Sequence, residues 1–594
     1  VATIPQKITE FTAITSADST DILPIVDDIS SVPVTRKIAV SDIIRSYKTT
    51  AAETTAGVTP VDFTYDTGNV RRYGAVGTGS IDDTAALQAA IDVCEQDQTP
   101  VFLPAGTYLV SSALDLPSFT TIIGVGELKS RILCNSATAN VLTSTSTTLI
   151  TLERFQISFN VTRTAGAAID FTSSNHFIMR DIRILAPFNA VNLTTCTNGK
   201  SENILVTTGI GDNNRGWFIR DCISMVFNNC TNQWGTQFPT DAGFIVESNC
   251  DTIIFNECQS QGGTSGNSKG WDIRNTFAGT PPRFIKLFGC AAEGGLSTDI
   301  ANAEIGYLIS DCTSVDFIGC YAASSRDGLR ITGGRGVRWI GGEIFQNGRH
   351  GVSISGGSGH RVIGADIHNN SAETANTFDG INIGGAVTDL QLIGNNIGSA
   401  TNFGTSRTHR YDIALTANAI DEAIVTVNIL KDGDTAPLLD AGTGTNKTVK
   451  DNIIGTTKIK TFTSTDATPS IVEGESFITA GTTAITDFDD GHVGKRISIL
   501  ATASITITDG SPIQLSGSVN FDMVSGDTLI LEMYNDQVWE EVSRKLVTTL
   551  QTYTRNATIV EDRTLLASVS ATATNNNNVL AALIADLQSR NLIQ

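Results

Sequence analysis

Basic residues are scarce in this chain. Forty lysines and arginines stand against 61 aspartates and glutamates, a formal charge of −21 at pH 7. So anionic a surface repels phosphate backbones and anionic lipids, which argues against a nucleic-acid partner. Charge of either sign is sparse as well, at 17% of 594 residues, and prolines number only 14, which excludes a coiled-coil or proline-rich disordered chain. No apolar run reaches the length of a bilayer span, so membrane insertion is not expected. The opening VATIPQKITEF lacks the basic, apolar and small-residue succession of a secretory leader. The expectation is a protein made in a cytoplasm and, if it acts outside a cell, carried there by other means. Histidines number six and none stands at ligand spacing from the cysteines, so neither a metal nor a cofactor is expected.

What the chain does have is glycine, 54 residues of it, and part of it recurs. Gly216, Gly243, Gly270, Gly306, Gly328, Gly351 and Gly380 each open an alternating pentad: GWFIR, GFIVE, GWDIR, GYLIS, GLRIT, GVSIS and GINIG. The intervals are 27, 27, 36, 22, 23 and 29 residues. Most units add a second period-2 strand ending in a small residue, as in VFNNC, IFNEC, KLFGC, DFIGC, RWIGG and RVIGA. Stacked units would pair each strand with its equivalents above and below, which is an all-β solenoid, a parallel β-helix.

The repeat also places the cysteines. Cys230, Cys258, Cys290 and Cys320 occupy one position of successive units, and Cys222, Cys250 and Cys312 lie eight residues before three of them. Stacked about 4.8 Å apart, they would form internal ladders. That spacing permits disulfides, but small reduced thiols filling a corner are the favoured reading.

Residues 1–48 read as a small N-terminal module: DILPIVDD and TRKIAVSDII suggest two strands and a brief helix capped by Ser41 or Asp42. Residues 49–68, rich in Thr and Ala without a periodic apolar face, read as a linker. A helix capped by Asp82 or Asp83, with Leu87, Ala90, Ile91 and Cys94 on one stripe, opens a capped β-helix over 69–455. Alternating strands over 456–546 read as a β-sandwich. Within 547–594, NNNNVLAALIADL gives an Asn-capped helix with Leu580, Leu583, Ile584 and Leu587 on one stripe, too short to stand without a partner.

GAVGTGSIDDTAALQAAID followed by VFLPAGTY resembles the opening of the pectate-lyase-type β-helix superfamily, in which this helix covers the N-terminal end of a right-handed solenoid. The order of modules is similar to that of bacteriophage tailspikes, and DILPIVDD with TRKIAVSDII resembles the attachment segments of phage tail proteins. The resemblance implies a homotrimer located on the virion. Its N-terminal part would join the phage tail, a baseplate or an adaptor protein, its β-helix would bind or cleave host surface polysaccharide, and its C-terminal part would drive trimerisation.

The repeat register fixes the outward columns. One runs Thr231, Gln259, Ala291, Tyr321, Glu343, Asp366, Asn396, and two positions later comes Gln233, Gln261, Glu293, Ala323, Phe345, His368, Gly398. Around 321–368 this face combines two stacked carboxylates, Glu343 and Asp366, with Tyr321, Phe345 and His368. Rings stack on pyranose faces, and two carboxylates one rung apart push one pKa up, which yields an acid and a base or nucleophile. The same carboxylates could equally be a solvated column. Asp327, His350 and Asp379 precede three of the glycines, in RDG, RHG and FDG; Asp-Gly is a turn signal in its own right, but Asp327 is also a catalytic candidate that could line the same groove or one between subunits. The insertion after Ala291 offers Glu293, Asp299 and Glu304, and NQWGTQF offers Trp234 and Phe238 as stacking platforms. Arg338 and Arg361 stack outward without an acidic cluster in register, so glycoside hydrolysis ranks above elimination. A non-catalytic adhesin of the same fold needs the same aromatic and polar columns and is the alternative.

Overall fold

The computed structural model describes residues 22–27 and 34–39 (backbone only), 49–207, 215–233, 241–262, 269–294 without 278, 305–399, and 583–585. It also describes 409–547 without 417, 432, 455–459, 472–474, 490, 492 and 536. Strands Ile22–Asp27 and Val34–Ala39 form an antiparallel pair. The helix expected at Ser41 or Asp42 lies outside the described residues, as do Trp234, Phe238, Asp299 and Glu304. Of the C-terminal helix only Leu583, Ile584 and Ala585 are described, helical and exposed.

The stretch with linker composition is not a linker in the structure. Ala51–Ala56 is a short helix in which Thr50 and Glu53 close a capping box. What holds it is a buried ion pair. Glu53 and Arg72 are both fully buried and meet at 2.5 Å, and the Tyr73 hydroxyl donates to Glu53 at 3.1 Å. The helix Thr84–Asp97 follows, burying Leu87, Ala90, Ile91, Val93 and Cys94. Asp82 accepts from Thr84 N, while Asp83 turns back to accept from Val76 N and Gly77 N.

From residue 101 onward the chain winds as a parallel β-helix. A representative coil runs Thr313–Ile318, a two-residue corner, Tyr321–Ala323, a turn, and Leu329–Ile331. Strands of the last kind, each opened by a repeat glycine where one is present, form a 13-stranded sheet from Leu114–Asp115 to Ala436–Asp440. We call this the glycine sheet, and the faces carrying 313–318 and 321–323 the long and short faces. The repeat glycine is required by close approach. A Cβ on Gly328 would stand 2.8 Å from the carbonyl oxygen of Gly351, and one on Gly351 2.7 Å from that of Gly380. The core is a single column of interlocked rings and aliphatics. Trp217, Phe244, Trp271 and Tyr307 stack in register, with centroids 6.1, 4.0 and 5.9 Å apart. All ten cysteines are free and buried. Sγ of Cys258, Cys290 and Cys320 donates to the carbonyls of Phe227, Phe255 and Leu287 on the rung before.

Beyond the last rung a six-stranded sheet, from Lys460–Thr461 at one edge to Ile513–Gln514 at the other, faces a two-stranded one, Ile505–Ile507 with Phe521–Met523. Phe477, Ile499, Met523, Leu531 and Trp539 share a separate core between them.

Candidate functional site

On the short face the outward register is the one read from the repeats. Thr231, Gln259, Ala291, Tyr321, Glu343, Asp366 and Asn396 are successive Cα partners. Gln261, Glu293, Ala323, Phe345 and His368 are partners in the second column. Inward Cys230, Cys258, Cys290 and Cys320 fix this phase, because a strand sends alternate side chains to opposite faces.

Glu343 is exposed and Asp366 half-buried, side by side on adjacent rungs. Asn396 Nδ2 donates to Asp366 Oδ1 at 2.7 Å and holds that carboxylate in place. Two positions on, the Phe345 and His368 rings stack at 5.3 Å and 16°. Burial lowers the His368 pKa, and the charges of Glu343 and Asp366 pull it back up, so the imidazole senses both carboxylates. Tyr321 lies next to Glu343 in the column. Burial and then the charge of Glu293 push its phenol up. Glu293 itself sits two rungs before Phe345, apart from the Glu343–Asp366 pair.

Asp327 is not on this face. It is buried in the turn before Gly328, with one oxygen engaged by Arg330 and the other accepting from His350 N at 3.1 Å. His350 Nδ1 accepts from Asp379 N at 3.0 Å, and burial lowers the ring's pKa, so its proton belongs on Nε2. Asp379 is fully buried and takes Arg410 bidentately, at 2.9 and 2.8 Å. The column Asp327, His350, Asp379 therefore exists, but its carboxylates already have their partners.

Two relations escaped the sequence. Asp316 is the register partner of Arg338 and accepts from its Nε and Nη2, so one carboxylate does accompany that arginine. Arg361 instead faces Asp389 at 3.8 Å. The second relation is the arginine-rich corner around Arg326, taken up below. The signal for it was present in RDG and RHG, where the aspartate and the histidine were singled out and the arginines were not.

Residues 67–294 match the family model described as rhamnogalacturonase A/epimerase, pectate lyase-like. Among curated proteins, the mannuronan C5-epimerase AlgE3 of Azotobacter vinelandii is 46% identical over 66 residues, 10% of this chain and 4% of that protein. The preneck appendage protein of Bacillus phage PZA is 41% identical over 59 residues, 10% of this chain and 6% of that protein. The chain thus spans a small fraction of the relatives it matches. Among solved structures, the N-terminal fragment of bacteriophage phi29 gene product 12 superposes with a TM-score of 0.42 at 15% identity. That superposition covers 75% of this chain and 81% of the fragment.

Proposed function

Taking the pectate-lyase-like β-helix as premise, we propose that this chain is a phage tail appendage of the tailspike kind, which binds host surface polysaccharide and hydrolyses it through Glu343 and Asp366. The observation that carries this is the pairing of Glu343 with Asp366 on adjacent rungs, beside the stacked Phe345 and His368. One carboxyl group would protonate the glycosidic oxygen while the other acts as base or nucleophile. Asp366, oriented by Asn396, suits the second role, and exposed Glu343 the first. Phe345, His368 and Tyr321 would hold the sugar rings. The partial match to a phage appendage protein supports placement on the virion.

The working unit would be a homotrimer, with residues 1–48 joining it to the tail and 547–594 holding it together. The long face offers a surface for such packing. Phe288, Ile318, Ile340, Ile363 and Ile393 form one outward apolar column, and Ile340 is 39% exposed. A non-catalytic adhesin is the second reading, favoured by one observation: Asp366 already commits an oxygen to Asn396.

The test is the product profile of purified protein incubated with polysaccharide from susceptible cells, alongside Glu343→Gln and Asp366→Asn. Discrete oligosaccharides from the parent but not the variants are expected. Intact polymer that is nevertheless retained would establish the adhesin, and cleavage that survives both substitutions would remove this pair from the reaction.

A further inference from the structure

Arg326, Arg349, Phe378 and Arg410 stand above one another at the turn that leads into the glycine sheet. Arg349 N donates to Arg326 O at 2.6 Å, and Arg410 N to Phe378 O at 2.8 Å. Arg330 stands one turn further along the first of these rungs. Three of the four guanidiniums are answered one for one. Asp327 takes Arg330, Glu373 takes Arg349 at 2.8 Å, and Asp379 takes Arg410 at 2.8 Å. Arg326 is the remaining one. Among the described residues nothing accepts a hydrogen bond from it, and its Nε is shut off from solvent without an acceptor.

The neighbours make this worse. Burial disfavours the Arg326 cation, and the charges of Arg349 and Arg330 disfavour it further, while those of Asp327 and Glu373 favour it less strongly. A guanidinium does not lose its proton in a protein, so the charge stays, and among the described residues four guanidiniums stand against three carboxylates, those of Asp327, Glu373 and Asp379. Aromatic rings lie against two of Arg326's neighbours: Arg349 is 5.4 Å from the Phe378 ring and Arg410 5.1 Å from that of Tyr411. Four planar donors beside two ring faces suit a sugar that carries an anion, since the arginine fork takes a carboxylate or phosphate edge-on.

We infer that this corner is a subsite for an anionic substituent of the bound glycan, a carboxylate or a phosphate, with Arg326 as the group that receives it. The inference rests on the polysaccharide reading above and narrows its substrate to an acidic polymer. In sequence, Arg349 follows Phe345 by four residues, in the turn that leaves the short face.

The test is ligand-observed NMR on the full chain with four probes: sodium D-glucuronate, N-acetylneuraminate, glucose 6-phosphate and, as the neutral control, methyl glucoside. At least one anionic sugar is expected to bind tenfold or more tighter than methyl glucoside and to weaken as salt rises. Arg326→Gln should abolish that advantage, whereas Arg326→Lys should keep part of it. Because Arg326 holds no hydrogen-bond partner among the described residues, neither substitution should lower the thermal midpoint, which verifies that the variants are folded. Preference for glucuronate or neuraminate over glucose 6-phosphate would identify a carboxylate, and the reverse a phosphate. Equal binding of neutral and anionic sugars, or an anionic preference untouched by Arg326→Gln, would overturn the inference and leave the glycan reading standing. Failure of all four to bind would count against both.

Discussion

One corner of the solenoid carries Cys230, Cys258, Cys290, Cys320, Gly342, Ala365, Asn395, Asn428 and Asn452 in succession. The column one residue later carries Thr231, Gln259, Ala291, Tyr321, Glu343, Asp366, Asn396, Ile429 and Ile453. The first uses only small residues, because every rung presents the same tight space. At Gly342 a Cβ would stand 2.0 Å from the carbonyl oxygen of Cys320. Where asparagine replaces cysteine it also bonds along the stack: Asn395 Nδ2 donates to Asn428 Oδ1, and Asn428 Nδ2 to Asn452 Oδ1, both at 2.9 Å. The second column mixes acid, amide, ring and aliphatic, because solvent imposes no shape. Repetition is thus a mark of packing. A non-repeating residue on a repeating scaffold is where selection for something other than the fold can act.

If that division is sound, the largest stability losses belong inside. Trp271 stacks on Phe244 at 4.0 Å and donates to Ala291 O at 3.0 Å, with no exposure. Trp271→Ala should cost about 3–5 kcal/mol, seen as a lower denaturation midpoint in guanidinium, while the proposed polysaccharide binding per folded molecule is unchanged. Retained stability would mean that the rings are passengers in the core.

The seam after the last rung holds a half-buried carboxylate. Glu475 lines a cavity of about 310 Å³ with Lys450, Asp451 and Arg496. Burial pushes its pKa up to about 7 from 4.5, opposed by Lys495 and reinforced by Asp451. The folded state therefore holds this proton more tightly than the unfolded chain. Its contribution is complete below pH 4.5 and is lost as pH rises through 7. The penalty at pH 8 is on the order of 3 kcal/mol. Glu475→Gln should remove it, so the variant should gain on the parent in thermal midpoint between pH 5 and 8. Parallel pH curves would show that Glu475 is solvated.

The contrast between columns also explains what could be read in advance. The glycine and cysteine spacings gave the rung register because each is a steric demand repeated coil by coil, and the register placed Glu343 beside Asp366. The helix at 51–56 stayed hidden because it has no apolar periodicity. It is held by the Thr50–Glu53 box and by Arg72, 19 residues from Glu53, which no local pattern reports. The pairing of Asp316 with Arg338 was missed because a single acidic residue on one rung is not a cluster. Arg326 was missed because its interest lies in the partner it lacks, and partners are known only in three dimensions.

The two cysteine ladders test the same division more gently. Burial pushes the thiols of Cys250 and Cys312 up to about 12, and those of Cys258 and Cys290 are also raised by burial. Ellman's reagent at pH 8 should label these thiols only after denaturation. Cys258→Ala, which leaves a void of methyl size, should cost about 1 kcal/mol. Rapid labelling of the native protein would mean that the rungs open locally along these ladders.

The smallest stability effect should coincide with the largest functional one. Glu343 is exposed at the first residue of its strand. Its amide donates to Cys320 O at 3.1 Å, a backbone bond that Gln keeps. Glu343→Gln should therefore move stability by less than about 0.5 kcal/mol. If Glu343 supplies the proton to the leaving oxygen, cleavage should fall by about 10²–10⁴-fold, with polymer binding retained. A matching substitution one residue earlier, Gly342→Ala, reverses the pattern: its Cβ meets the Cys320 carbonyl, so the fold is lost before the chemistry is tested. Equal stability losses at 342 and 343 would dissolve the distinction between the columns. Full cleavage by Glu343→Gln would keep it, but would show that a non-repeating outward residue can be idle.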